Sequence, residues 1–225
     1  MTTLTKSNFD SDAPIAFFDS GVGGLTVLNK VKKILPNENY IYYGDTLHVP
    51  YGEKTKEQLL EYSDKILKFF EQKGCKAVVM ACNTTSSVIY DDIKNKYNLK
   101  LYPIVQSVAE ILAKEPIERL GVFATSATIN SNVYPKEIAK YNSTMRVFGQ
   151  HCPDWVGIVE NNTISDLDSI LVIKNDLDIE GIDYDFMINL TTRCVILVDG
   201  IEKDEKIYYS LGEISGEQYN VDYTE

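Results

Sequence analysis

The stretch Val78-Val79-Met80-Ala81-Cys82-Asn83-Thr84-Thr85-Ser86 constrains this chain most. The apolar run from Ala77 to Ala81 reads as a buried parallel strand. It stops at a cysteine followed by four residues of helix-capping type, and a helix is expected from about Ser87. A thiol at a strand's carboxyl end, ahead of a helix N-terminus, stands where open α/β sheets place their sites. Helix N-termini favour anions, and a thiolate is the reactive form of cysteine. The competing reading is a packed structural cysteine, because free cysteine is among the most buried residue types. Position alone leaves both open.

The rest of the chain repeats the same strand-then-helix pattern. Ile15-Ala16-Phe17-Phe18 is a short apolar strand, ended by Asp19-Ser20-Gly21-Val22-Gly23-Gly24. A helix follows with Leu25, Leu28, Val31, Ile34 and Leu35 on one face and Pro36 at its stop. Tyr40 to Tyr43 is a second strand, and Thr55 with Gln58 forms a capping box. The helix it opens turns Leu59, Tyr62, Ile66, Leu67 and Phe70 inward and closes at Gly74. After the Cys82 strand come a helix through Ile89 and Ile93, a strand at Leu101–Val105 and a helix at Val108–Leu112. A strand at Leu120–Ala124, a helix from about Asn132 to Tyr141 and a strand at Arg146–Gly149 complete the series. Such βαβ alternation predicts an α/β fold with parallel sheets.

The glycine-rich turn at Asp19–Gly24 is neither of the common phosphate-binding fingerprints. Its glycines would let backbone N–H groups approach a small anion, phosphate or carboxylate, at a helix N-terminus. A tight turn without a ligand explains them equally well.

Composition narrows the partners. The chain of 225 residues is 44% hydrophobic, enough for one large or two small α/β domains. The net charge is −11, and it is unevenly placed. Residues 161–225 hold 15 Asp and Glu against 4 Lys and Arg, whereas residues 1–160 hold 18 of each. An acidic chain argues against nucleic acid or an anionic membrane as partner, and the acidic third reads as a solvated face. Met1 to Asp12 is polar and lacks the apolar core of a signal peptide, and no apolar run reaches transmembrane length. Cys75, Cys82, Cys152 and Cys194 show no zinc-binding spacing, so reduced thiols in the cytoplasm are expected and no metal. Of the two histidines, His48 precedes Pro50 and His151 adjoins Cys152, and surface or structural roles are expected for both. Cys75 and Trp155 read as packing residues.

Several of these stretches together resemble one family. Phe18-Asp19-Ser20-Gly21-Val22-Gly23-Gly24-Leu25-Thr26-Val27, then Tyr43-Gly44-Asp45-Thr46 with Val49-Pro50-Tyr51-Gly52, then Ala81-Cys82-Asn83-Thr84, are similar to bacterial glutamate racemase, of the aspartate/glutamate racemase family. The resemblance continues through Pro103-Ile104-Val105-Gln106, Gly121-Val122-Phe123-Ala124-Thr125 and Cys152-Pro153, and is strong over roughly residues 14–160.

The resemblance implies a reaction that needs neither pyridoxal phosphate nor metal. Two cysteines would face opposite sides of the α-carbon of glutamate, one removing the proton as thiolate and the other returning one. Cys82 would be one of these groups. Asp19 and Ser20 would flank the reacting centre, and Tyr51, Gly52, Asn83 and Thr84 would hold the amino acid. The fold would be two doubly wound parallel-sheet domains related by a pseudo-twofold axis, with the active site between them. Residues 1–101 would form the first domain and 102–209 the second, with about 210–225 returning to the first. D-Glutamate for peptidoglycan would be the product, and a homodimer is a possible assembly.

The family's second motif, Gly-Cys-Thr-His, is altered here. Its counterpart is Phe186-Met187-Ile188-Asn189-Leu190-Thr191-Thr192-Arg193-Cys194, with Leu190 lying 38 residues after Cys152. In that register Leu190 replaces the second cysteine and Thr192 the histidine, while Thr191 is kept as a substrate contact. The family's closing helices find no clear match in the 35 residues after Leu190. Two functions follow: a glutamate racemase with impaired activity, or a protein of the same fold that binds a small carboxylate without racemising it. A one-cysteine relative that decarboxylates or isomerises a dicarboxylate is a third.

Overall fold

The computed structural model describes residues 12–160 and three short strands at 186–189, 208–211 and 219–222. Its first sheet has four parallel strands in the order β2-β1-β3-β4. These are β1 (Ile15–Asp19), β2 (Tyr40–Gly44), β3 (Ala77–Met80) and β4 (Lys100–Pro103). β1 lies between β2 and β3, and Ala16, Phe17 and Phe18 are fully buried, as a central parallel strand requires.

One face of this sheet is well covered. Helix α2 (Lys56–Gln72) and the short helices α3 (Asn83–Val88) and α4 (Tyr90–Ile93) follow β2 and β3. Leu59, Ile66, Leu67 and Phe70 of α2 and Ile93 of α4 pack with Ala16, Phe18, Val78 and Met80. The capping box of α2 forms as expected, Gln58 N–H donating to Thr55 Oγ1 at 3.3 Å and Thr55 N–H to Gln58 Oε1 at 2.9 Å. Its end is also as expected. Gly74 takes the left-handed conformation at φ 67°, and the Gly74 and Cys75 N–H groups return to the Glu71 and Phe70 carbonyls at 3.0 Å.

Among the described residues, the other face is only partly covered. Helix α1 (Gly24–Ile34) was expected to bury Leu25, Leu28, Val31, Ile34 and Leu35, but Gly24 is its one buried residue. Ile34 is 75% exposed and Leu35 43%. Beside it an open groove of 760 Å³ is lined by Ile15, Val31, Leu35, Val79, Leu99 and Tyr102, among others. Among the described residues, the apolar stripe of α1 therefore borders an open strip of sheet instead of a core.

The second sheet is parallel with the order β6-β5-β7, formed by β5 (Arg119–Ala124), β6 (Arg146–His151) and β7 (Phe186–Asn189). Helices α5 (Ile104–Leu112), α6 (Ser126–Asn130) and α7 (Val133–Ile138) accompany it. Val105, Ala109, Leu120, Val122, Tyr134 and Ile138 form its core. Helix α8 (Trp155–Glu160) brings Trp155 parallel to Phe123, with ring centroids 5.8 Å apart and planes 6° apart. Strands β8 (Tyr208–Leu211) and β9 (Tyr219–Asp222) pair antiparallel with each other.

Three boundaries differ from expectation. α3 starts at Asn83, not Ser87, because the Thr85 and Ser86 hydroxyls turn back to the Cys82 and Met80 carbonyls and let the turn continue. β4 stops at Pro103 and α5 starts at Ile104, with Pro103 as the extended residue before the helix. The helix expected from Asn132 to Tyr141 is shorter, and Asn132 stands before it at φ 53°, separating it from α6.

Candidate active site

In the order β2-β1-β3, the chain leaves β1 toward one side and returns on the other, so the connections after β1 and β3 diverge and open a crevice at their carboxyl ends. Ser20 follows β1 and Cys82 follows β3. The two side chains meet there, the Cys82 thiol donating to Ser20 Oγ at 3.6 Å. Cys82 is 4% exposed and is the residue immediately before α3. The order β6-β5-β7 repeats this arrangement in the second sheet, with Thr125 after β5 and Leu190 after β7. Leu190, Thr191, Thr192, Arg193 and Cys194 lie outside the described residues.

The glycine-rich turn holds an anion from within the chain. Asp19 Oδ2 accepts from Gly24 N–H at 2.9 Å, at the first residue of α1, and from the Tyr42 phenol at 3.3 Å. Tyr42 also donates to the Gly21 carbonyl at 2.8 Å. That carboxylate at a helix N-terminus is stabilising, and it ties the loop after β1 to β2. Packing is tight here, since a Cβ at Gly44 would stand 2.3 Å from the Gly21 carbonyl oxygen.

The loop after β2 supplies Tyr51 and Gly52. It contains a cis peptide bond between Val49 and Pro50 and ends in a 3-10 turn, Tyr51–Glu53. Tyr51 is buried, edge-on to Phe18, and donates to Asp45 Oδ2 at 2.6 Å. Burial, then the Asp45 hydrogen bond and charge, push its phenol far above the ordinary range, and Cys82 and Asp19 add to the shift. Gly52 lies against the second sheet's side of the crevice, where a Cβ would stand 2.9 Å from Thr125 Cβ.

Asn83 and Thr84 are the first residues of α3, and Thr84 reaches across. Its Oγ1 is 3.2 Å from Thr125 Oγ1, which is 3.1 Å from Thr128 Oγ1. The described expected residues, Asp19, Ser20, Tyr51, Gly52, Cys82, Asn83 and Thr84, thus lie at or beyond the carboxyl ends of β1, β2 and β3. Sequence reasoning missed Thr125 as a cross-crevice contact, with Thr128 beside it on the same side, and the Thr-x-x-Thr spacing after β5 was the available signal. The expectation for His48 was a surface or structural role, and its Nδ1 lies within 2.8 Å of both Asp45 oxygens. Cys152 and Trp155 are buried, and burial raises the Cys75 thiol pKa. Among the described residues, no three His, Cys, Asp or Glu side chains are grouped to hold a metal ion. No described helix is long and apolar enough to cross a membrane.

A parallel-sheet crevice with a buried thiol beside a hydroxyl, faced by threonines from a second sheet, defines a class of cysteine-containing α/β proteins with a site between two sheets. The chain belongs to the Asp/Glu/Hydantoin racemase family, which matches residues 23–168. It is 42% identical over 148 residues to a glutamate racemase of Thermoanaerobacter sp. (strain X514), covering 65% of this chain and 55% of that one. It is 40% identical over 151 residues to a glutamate racemase of Carboxydothermus hydrogenoformans, covering 67% and 56%. The chain thus spans just over half the length of these relatives. Among solved structures it resembles the Francisella tularensis glutamate racemase in complex with D-glutamate, with a TM-score of 0.73 and 32% identity over 79% of this chain and 68% of that one. A glutamate racemase isoform from Bacillus anthracis aligns with a TM-score of 0.75 and 27% identity over 80% and 68%.

Proposed function

We propose that this chain binds glutamate in the crevice and exchanges its α-proton through Cys82. The meeting of Cys82 and Ser20 at the carboxyl ends of β3 and β1 carries the reading. Ser20, Tyr51, Gly52, Asn83 and Thr84 surround the same crevice, and Asp19 holds the loop that presents Ser20. The family membership and the D-glutamate bound to the Francisella protein support glutamate as the ligand. Thr191 is part of the same proposal on sequence grounds alone.

The chemistry is one-sided. The Cys82 thiolate takes the α-proton, and the electron pair stays on carbon. The new thiol exchanges its hydrogen with solvent and returns one to the same face. Inversion needs a second acid on the opposite face, and Leu190 stands in sequence where the family has it. The proposed activity is therefore racemisation impaired at one face, with retained hydrogen exchange. Loss of one positioned acid or base costs on the order of a hundred- to ten-thousand-fold.

The test is NMR of D- and L-glutamate in D₂O, with chiral chromatography of the recovered amino acid. Slow α-deuteration of one enantiomer with little inversion is expected, and it vanishes in Cys82→Ala. Leu190→Cys with Thr192→His raises inversion. Rapid inversion by the unaltered chain overturns the one-sided reading. Binding without exchange of either enantiomer favours the second reading, a carboxylate-binding member of the family, which Leu190 motivates.

The wider parts of the proposal are a cytoplasmic, cofactor-independent protein supplying D-glutamate for peptidoglycan, as in the resemblance. The division into 1–101 and 102–209, with 210–225 returning, belongs here too. Two separate sheets support it, although the join falls inside β4. A homodimer is proposed from the open groove beside α1.

A further inference from the structure

We propose that His48 is a positioning residue of the crevice, acting through Asp45 to fix Tyr51 and Gly52. The proposal rests on the reading of Tyr51 and Gly52 as ligand-holding groups. Three observations combine. Asp45 is 6% exposed and joins two elements. Its backbone N–H donates to the Asp19 carbonyl at 2.9 Å, and its Oδ2 accepts from Tyr51 at 2.6 Å. His48 Nδ1 closes on the same carboxylate, 2.8 Å from Oδ1 and 2.7 Å from Oδ2. A carboxylate only accepts, so Nδ1 carries the hydrogen.

The imidazole is held from behind by α2. Its ring stacks on Tyr62 with centroids 3.9 Å apart and planes 17° apart. Glu61, paired with Lys65 at 2.7 Å, adds a favourable charge toward His48 from the same helix. The loop between β2 and the 3-10 turn is thereby fastened at both ends of one carboxylate. Two donors on one buried carboxylate fix its orientation, and with it the Tyr51 hydroxyl. Gly52 follows directly and abuts Thr125, so a rotation at Asp45 displaces the contact between the two sides of the crevice. Ligand-holding groups need support of this kind, because a small misplacement weakens every contact they make.

Two substitutions separate the donor from the stack. His48→Phe keeps a ring against Tyr62 and loses the hydrogen on Asp45. His48→Asn keeps an N–H near the Nδ1 position and loses the ring. Glutamate affinity is read by calorimetry, and hydrogen exchange is read at the Lys54 amide, which donates to the Tyr51 carbonyl at 3.1 Å. His48→Phe is expected to weaken glutamate binding and speed Lys54 exchange, each on the order of tenfold. His48→Asn is expected to stay close to the unaltered protein in both. The reverse order makes the Tyr62 stack the active element and overturns the proposal, as does a lack of change in both variants. If the unaltered protein binds no glutamate while the exchange pattern holds, the proposed function fails and the positioning of Tyr51 stands.

Discussion

The Tyr51 phenol donates its one hydrogen to a buried carboxylate, and that bond makes the site's stability depend on alkaline pH. The folded state holds Tyr51 protonated well above its ordinary pKa of about 10. A group raised in this way contributes stability that is fully present below the unfolded pKa. The contribution is lost as pH rises above about 10, at up to ~1.4 kcal/mol per pH unit, because only the unfolded chain ionises. Tyr51→Phe should cost about 1–3 kcal/mol at pH 8, by removing a donor from buried Asp45. The gap should narrow between pH 10 and 11 in paired urea titrations. A gap constant across that range would show that the bond is not what holds Tyr51. At this scale Cys82 was legible because it follows an apolar strand directly, whereas Ser20 entered only through the family resemblance. The pairing of Asp45 with His48 was silent, because an i, i+3 pair in an irregular loop leaves no period to read.

Elements close to the site tolerate little added volume. Gly44→Ala would drive a methyl into the Gly21 carbonyl, forcing the end of β2 away from the loop that presents Ser20. It should destabilise by about 1–3 kcal/mol and reduce glutamate binding with it. Gly157→Ala in α8 meets open space and serves as the comparison, expected to be neutral or stabilising by about 0.5–1 kcal/mol. Equal thermal shifts in the two variants would contradict the packing argument. Gly74→Ala, with open space but φ 67°, should cost about 1 kcal/mol through backbone strain alone. The capping box and the Gly74 stop were legible because their signals are local. The start of α3 and the helix after Thr125 were not. Each depends on hydroxyls that turn to a carbonyl or cap a short helix only once the strands have placed them.

At the scale of the molecule, α1 was legible as amphipathic, but its stripe could not reveal that the neighbouring strip of sheet is open among the described residues. Burial on that face is decided by what lies across from β3 and β4, not by the stripe itself. Ile34, Leu35 and Tyr102 leave apolar surface exposed beside the groove, and association would cover it. Sedimentation should show self-association rising with concentration, and Tyr102→Glu, at the rim of the groove, should weaken it. A non-associating monomer over a wide concentration range would remove the homodimer from the proposal.

The parallel stack of Trp155 on Phe123 has an optical consequence. Trp155 is the chain's single tryptophan, so fluorescence excited on the red edge of its absorption reports only the environment of the second sheet. Tyr43, Tyr51, Tyr62, Tyr90 and Tyr97 pack in the first sheet's core, and Tyr134 in the second. One denaturant series followed by tryptophan fluorescence and by tyrosine near-ultraviolet signal therefore compares the second sheet with a signal weighted toward the first. If the two midpoints separate, the hydroxyl contact between Thr84 and Thr125 is too weak to make the two sheets melt as a single unit.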